Sequence, residues 1–370
     1  MTLHRKKILG ALAVLLVASI AAAPAQTNAP YKIGLTIPLS GPLANSGQYY
    51  VPAAQIAIAD VNAKGGVNGH PLQLLVEDSL GTPPGGLAAM RKLVQVDGTP
   101  AILTFYTNVV SAQIPLADEL KVPILGSIQT PGLMSHSPYT YSHAETVNAT
   151  ANLFGDYWKN HKIKRVYAFI PNNALGQIFS TAYKAAAAGS GVTYDEATFN
   201  SGETDFRGVV ARAKDFNPDG VIVASPGGLD GTVLIRQVRE AGMNAQIFLP
   251  GTFLNEPGWT AAVGTYLDGL IMAGVQIDPV AGKKFIADFT AKVGRPPDTY
   301  GAELYEEVLM MAAAIQKGSY SGDAIAKQLA VTKGIPSVFG GTITMDPDHY
   351  SVPLSNRLRQ MRNGQLVLVN

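Results

Sequence analysis

Short apolar runs alternate with helix-length segments along this chain, and that alternation limits its fold more than any other feature. Segments 32–38, 71–77, 101–105 and 122–126 read as buried strands, and 48–63, 84–96 and 109–120 between them read as helices. Strands that are apolar throughout, rather than at every second position, are buried on both faces. Crossovers of a dozen residues join strands in parallel. The pattern therefore predicts a parallel sheet with helices on both sides. After a stretch rich in Pro, Ser, Thr and Tyr at 130–143 the alternation restarts: helix 148–160, strand 165–170, helix 175–188, strand 192–199, helix 206–216, strand 220–224, helix 232–241, strand 246–249 and strand 269–275. Beyond it, helices are predicted near 283–293, 300–317 and 322–329. Two strands follow, 358–362 and 365–369, with Asn363-Gly364 as the hairpin turn between them. Two βαβ blocks in series, with elements left over at the end, predict an α/β chain of two doubly wound lobes.

The length of 370 residues suits two domains, and 47% hydrophobic against 15% charged residues allows a large core. A net charge of +1 gives no electrostatic footprint for nucleic acid. The chain has no cysteine, which excludes disulfides, thiolate catalysis, zinc–thiolate sites and a lipidated N-terminal cysteine. At the N-terminus His4, Arg5, Lys6 and Lys7 precede an apolar run, 8–22, and then Ala23-Pro24-Ala25. The run is short of the roughly 20 residues a membrane span needs, and a small-residue cleavage site follows at once. Residues 1–25 are therefore expected to be a signal peptide, cleaved after Ala25. The mature protein is expected to be soluble, exported to the periplasm and not a lipoprotein.

In doubly wound sheets ligands sit outside the carboxyl ends of the strands. The loops at those ends, 40–47, 106–108, 127–130, 172–176, 225–228 and 251–253, are rich in Gly, Ser, Thr, Asn and Gln. Hydroxyls, amides and the free N–H groups of helix N-termini suit an anion such as a carboxylate.

Catalytic patterns are missing. The sequence has no Gly-x-Ser-x-Gly elbow, no Gly-x-x-x-x-Gly-Lys phosphate loop and no His-Glu-x-x-His zinc helix. His143-Ala144-Glu145 matches half of a deaminase signature without its cysteines, and the histidines are expected on surfaces or loops. Asp346-Pro347-Asp348 lacks the spacing of a calcium loop and reads as a turn. Asn148-Ala149-Thr150 is a formal glycosylation sequon, expected to cap a helix. No enzyme activity, cofactor or metal is expected.

Several motifs together carry a resemblance. Lys32-Ile33-Gly34-Leu35-Thr36 leads into Leu39-Ser40-Gly41-Pro42-Leu43-Ala44. The segment 55–60 runs into Val61-Asn62-Ala63-Lys64-Gly65-Gly66-Val67-Asn68-Gly69. Ile114-Pro115-Leu116-Ala117, Lys121-Val122-Pro123-Ile124, Gly202-Glu203-Thr204-Asp205-Phe206 and Tyr300-Gly301-Ala302-Glu303-Leu304-Tyr305 follow in order. In this order the chain resembles the leucine/isoleucine/valine-binding proteins of bacterial ABC transporters over essentially its whole mature length. The resemblance implies a type I periplasmic binding fold, two Rossmann-like lobes joined by three chain crossings. It places the N-terminal lobe at about 31–147 plus 276–348 and the C-terminal lobe at about 148–275 plus 349–370. It also implies hinge closure around a solute and membrane permease subunits as partners, and the protein is expected to act as a monomer.

Carried over residue by residue, the resemblance puts Thr107, with Tyr106 and Asn108 beside it, and Thr130, after Gln129, where the amino-acid binders hold a ligand carboxylate. Ser46 lies in the first cleft loop. On the C-terminal side Leu175 stands where those binders have an aromatic residue, and Pro226-Gly227 where they have a Tyr or similar residue. Gly251-Thr252 stands where they have the acid that pairs with the ligand's ammonium. A buried ammonium without a carboxylate partner costs several kcal/mol. The resemblance, with this departure, implies a carboxylate ligand lacking an α-amine, such as an aromatic acid, with Tyr49, Tyr50, Tyr106 and Phe253 as walls of a flat pocket. A branched-chain or other amino acid, and a sensor of amide- or urea-type ligands on the same fold, remain open alternatives.

Overall fold

The computed structural model describes residues 28–200, 202–225, 229–251, 259–351 and 356–369. The expected signal peptide, Pro226-Gly227, Thr252 and Phe253 lie outside the described residues. In chain order the elements are β1 (Tyr31–Ile37), α1 (Ala44–Ala63), β2 (Leu72–Asp78), α2 (Pro83–Arg91), β3 (Ile102–Thr104), α3 (Thr107–Leu120), β4 (Ile124–Gly126) and β5 (Thr140–Ser142). Then come α4 (Val147–Asn160), β6 (Arg165–Pro171), α5 (Ala174–Ser190), β7 (Thr193–Phe199), α6 (Arg207–Phe216), β8 (Gly220–Val223), α7 (Leu229–Glu240), β9 (Gln246–Pro250), α8 (Trp259–Val263) and β10 (Ile271–Gly274). The chain closes with α9 (Lys283–Val293), α10 (Thr299–Lys317), α11 (Gly322–Leu329), β11 (Lys333–Pro336), β12 (Thr342–Thr344), β13 (Arg357–Arg362) and β14 (Gln365–Leu368).

The strands form two main sheets, one per lobe, as the alternation predicted. The first has the order β2-β1-β3-β4-β5 and is parallel throughout. The second has the order β14-β13-β10-β9-β8-β6-β7; it is parallel from β10 to β7, and β13 and β14 add an antiparallel hairpin at its edge. The apolar strands become the sheet interiors: Ile33, Leu35 and Ile37 in the first sheet and Val221, Ile222 and Val223 in the second are fully buried. Side chains from 31–141 and 275–350 pack in two clusters against the first sheet. Side chains from 147–273 and 358–369 pack on the two faces of the second.

The helix ends follow local chemistry. Thr82, Asn173 and Asp298 cap α2, α5 and α10 by accepting the backbone N–H of Gly85, Gly176 and Gly301. At α4 the cap is Thr146, which accepts the Ala149 N–H, so Asn148 already lies inside the helix. The helix expected at 84–96 ends its regular part at Arg91 and continues as a π-helical turn, 92–96.

Three strands were missed in the sequence. β5 lies in the stretch expected to be a loop, because Thr140, Tyr141 and Ser142 are polar or amphipathic. They are nonetheless buried, and their hydroxyls find partners in the interior, Thr140 on the Met134 carbonyl and Tyr141 on the Ala326 carbonyl at 2.8 Å. β11 and β12 form a small separate antiparallel pair.

On the second lobe Phe154 is fully buried against Phe248, Tyr183 and Trp158. Phe154→Ala is expected to cost about 3–5 kcal/mol of stability in denaturant unfolding. Leu368→Ala, at a side chain 62% exposed, should stay within about 0.5 kcal/mol.

Candidate functional site

The carboxyl ends of the two parallel sheets supply the candidate binding surface. On the first lobe Asp78, at the end of β2, accepts the Leu39 N–H at 2.9 Å, the Ser40 hydroxyl at 2.5 Å and the Leu80 N–H at 2.8 Å. These bonds pin the loop after β1. The slight burial of Asp78 works against its charge, but the hydroxyl and the amides outweigh it and hold its carboxyl below the ordinary value.

Tyr106 has φ 70°, a left-handed conformation that is uncommon for a residue with a Cβ. It turns the chain from β3 into α3 and leaves Thr107 and Asn108 exposed in the first turn of the helix. Asn108 donates from its amide to the Gly81 carbonyl at 3.1 Å, which ties this turn to the loop after β2. Tyr106 is half-buried, edge-on to Phe105.

Gln129 and Thr130 follow β4 and are also half-buried. The Gln129 carbonyl accepts the Val147 N–H at 3.1 Å, and the Thr130 carbonyl accepts the Tyr350 hydroxyl. Thr130 and Asn148 share a cavity of about 320 Å³ with Gln177, Ile178 and Thr181 of α5, so this carboxyl end of the first sheet faces a helix of the second lobe. A neighbouring cavity of about 250 Å³ opens at the ends of β6 and β7, against Asn172, Asn173 and Gly176. Gly176 is required there, since a Cβ would stand 1.7 Å from the Pro171 carbonyl oxygen.

Leu175, Ser46 and Gly251 are not among the residues that line these two cavities. Leu175 packs with the core of the second lobe. Tyr49 and Tyr50 are not pocket walls: both are core residues of the first lobe, Tyr50 stacked on Phe105, and their hydroxyls donate to the Pro296 carbonyl and to Asp298. Apolar area and internal hydrogen bonds hold them inside. Ser46 lies on the first turn of α1. Gly251 follows β9 with φ 102°, and its Cα lies 3.2 Å from where a Cβ on Gly274 would stand.

Behind these loops lies a buried polar hinge that the sequence reading overlooked. Ser142 and Tyr350 form a β-bridge, with the Ser142 N–H on the His349 carbonyl and the Ser351 N–H on the Ser142 carbonyl, each at 2.9 Å. His143, expected on a surface or loop, is on the loop from β5 to α4 but is buried. Its Nδ1 is 2.6 Å from the Ser351 hydroxyl and its Nε2 2.6 Å from the Glu306 carboxylate of α10. Burial alone would lower the imidazole's proton affinity, but the bond to Glu306 outweighs it and keeps His143 above its ordinary value.

Glu145, Glu303 and Glu307 are buried beside this pair. Ser127 donates to Glu307 at 2.9 Å, and Gln129 Nε2 approaches Glu145 Oε1 at 3.5 Å. Loss of hydration pushes Glu145 and Glu307 up to about 7. It pushes Glu303 well above the carboxylate range, with the charge of Glu145 adding to the effect. Glu303, Glu306 and Glu307 share one face of a helix that is otherwise largely apolar. Three acids in such a helix were the available signal. No grouping of acidic or histidine side chains among the described residues could hold a metal ion. No helix among them is long and apolar enough to cross a membrane.

A periplasmic binding protein family model matches residues 30–362. A Leu/Ile/Val-binding protein of Rhizobium johnstonii is 28% identical over 89% of this chain and 91% of the relative. An amino acid binding protein of Pseudomonas aeruginosa is 27% identical over 91% of both. In fold the chain is similar to the isoleucine complex of a branched-chain amino acid transporter substrate-binding protein from Streptococcus pneumoniae, with TM-score 0.77, 22% identity and coverage of 91% and 97%. It is also similar to a benzoate complex of an ABC transporter solute-binding protein from R. palustris, with TM-score 0.76, 19% identity and coverage of 92% and 96%. The chain belongs to the periplasmic binding protein family.

The buried carboxyl groups set the sign of the pH dependence. Glu145 and Glu307 bind protons more tightly folded than unfolded, from the ordinary 4.5 up to about 7. The folded state therefore carries the extra protons in that interval, and stability falls as pH rises through it. His143, also raised, adds to the loss as pH passes its folded value. The denaturation midpoint should drop between about pH 5 and about pH 7, by on the order of a few kcal/mol in stability, and Glu307→Gln should flatten the slope. A midpoint that climbs over this interval would contradict the assignment.

Proposed function

We propose that this chain is the extracytoplasmic receptor of an ABC importer, which captures a small carboxylate-bearing solute between its lobes and presents the closed form to membrane permease subunits. The lobes are taken as 31–147 plus 276–348 and 148–275 plus 349–370, and the mature protein acts as a periplasmic monomer after loss of residues 1–25. The observation that carries this reading is the cavity shared by Thr130 of one lobe and Gln177 and Thr181 of the other. A solute there touches both lobes at once, which is the differential contact that shifts an open–closed equilibrium. Thr107 and Asn108 at the start of α3, with Tyr106, Gln129 and Thr130, are assigned to the carboxylate. Exposed first-turn N–H groups and hydroxyls suit an anion. Ser46, Leu175, Pro226, Gly227, Gly251 and Thr252 are assigned to the remaining wall. Glycine at 251, in the place of an acid, supports a ligand without an α-amine, and the benzoate complex among the structural neighbours is consistent with an aromatic acid.

A second reading, an amino acid, has its own support. Glu145 Oε1 lies 3.7 Å from a Cβ position on Gly274, in the corner that also contains Gly251. Its Oε2 is buried with no hydrogen-bond partner among the described residues, and an ammonium that reached it would supply the missing donor. The relatives' names agree with that alternative.

A thermal-shift panel of benzoate, 3,4-dihydroxybenzoate, dicarboxylates, small amides, leucine and polar amino acids separates the readings. A ligand at 100 times its Kd adds about 2.7 kcal/mol to stability. Stabilisation by amine-free acids is expected; stabilisation by leucine-like amino acids alone would transfer the site to the second reading. For the acid that binds, Thr107→Ala and Thr130→Ala should each raise Kd by about tenfold, the loss of one charge-assisted hydrogen bond. Unchanged affinity in both variants would remove the carboxylate assignment.

A further inference from the structure

Four carboxylate oxygens in the hinge are buried with no donor at hydrogen-bond geometry. Glu145 Oε2, both oxygens of Glu303, and Glu307 Oε2 have no hydrogen-bond partner among the described residues. Glu303 is close enough to Glu145 and Glu307 to feel both charges. Donors nearby are few: the Ser127 hydroxyl is given to Glu307 Oε1 at 2.9 Å and is the same hydroxyl that acts on Glu303, and the Gln129 amide reaches Glu145 Oε1 only at 3.5 Å.

The charged groups facing this cluster leave it short of positive charge. Helix α10 contributes Glu303, Glu306 and Glu307, with Asp298 at its start. The first chain crossing contributes His143 and Glu145, and its imidazole is already bonded to Glu306 and Ser351. On the strands that follow the third crossing, Arg359 of β13 donates to the Gly274 carbonyl at 2.9 Å, next to Arg357. His349, half-buried on the third crossing, lies 3.0 Å from the Thr140 carbonyl. The described groups do not form a metal site. A buried carboxylate without a partner costs several kcal/mol, and an added hydrogen both removes its charge and turns one acceptor into a donor.

The cluster also sits where the lobes pivot. Glu303 and Glu307 belong to α10 of the first lobe. Glu145 is on the first crossing and abuts Gly274, where β10 of the second sheet runs into the second crossing, beside Gly251 at the end of β9. Rotation of β9 and β10 away from α10 changes the hydration of Glu145 and its distance from Glu303.

We propose that the hinge is a proton-binding site in which Glu145, Glu303 and Glu307 hold protons while it is dry and packed and release them as it opens, so that lobe closure is coupled to proton uptake. A difference of one unit in proton affinity between the two states biases the open–closed ratio tenfold for each group. The proposal rests on the hinge and not on the ligand class, so the thermal-shift panel can succeed or fail without affecting it.

The test uses the mature protein with no added ligand. Infrared spectra should show a protonated-carboxyl band at about pH 6 that shrinks by about pH 8, around the value of about 7 for Glu145 and Glu307. X-ray scattering over the same range should show the radius of gyration rising in step, as the open–closed ratio changes tenfold or more. In the double variant Glu145→Gln/Glu303→Gln, which keeps the side-chain shape and leaves Glu307, part of the band and most of the pH dependence of the radius should be lost. A wild-type protein without the band at about pH 6, or with a radius that ignores pH, overturns the proposal whether or not the variant folds. So does a folded variant whose radius follows pH as the wild type does.

Discussion

His143 makes the contact on which the two lobes most depend. Its ring joins three parts of the chain: the first crossing, which carries it, the third crossing through Ser351, and α10 of the first lobe through Glu306. The bridge between Ser142 and Tyr350 runs alongside, so the contact is held by backbone as well as side chain. A buried ion pair contributes little net stability against an apolar alternative, but breaking one side of it is costly because a charge is left behind. Such a contact favours one arrangement of the crossings over its neighbours. The candidate site follows from that arrangement, since Gln129 and Val147 are bonded directly next to it.

Two chemical environments meet at this point. The loops at the sheet ends offer hydroxyls, amides and helix-start N–H groups, partners suited to an anionic solute. A few ångströms behind Gln129 the hinge has the opposite character, with more acceptors than donors and more acidic groups than basic ones. Glu145 stands between the two, which is why it is the residue proposed as a proton carrier and, under the amino-acid reading, as the acceptor for a ligand ammonium.

Much of the fold was legible because burial on both faces of a parallel sheet writes itself as unbroken apolar runs, as at 32–38 and 220–224. The strands that were missed obey a different rule. β5 is made of Thr140, Tyr141 and Ser142, whose burial depends on hydroxyl partners outside the strand, among them Met134, Ile128 and the distant Ala326. The candidate site was legible only at the level of loops. Resemblance pointed to Thr107 and Thr130, and Thr130 shares a cavity with α5. Tyr49 and Tyr50 were misread as pocket residues because an aromatic near a cleft loop has the same sequence signature whether it faces in or out. The hinge acids went unread for another reason. The pairing of residue 143 with residues 306 and 351 leaves no local pattern, although three glutamates on one face of an otherwise apolar helix were visible as an anomaly.

The central claim is that one solute bridges the carboxyl ends of both sheets. Amide hydrogen exchange, with and without the panel compound that stabilises the protein most, tests it directly. Exchange should slow together in 105–110 and 127–131 of the first lobe and in 171–177 of the second, and stay unchanged in the distant surface around Asn217 and Asn244, which lines a separate groove. Protection confined to one lobe, or centred on that distant groove, would contradict the account.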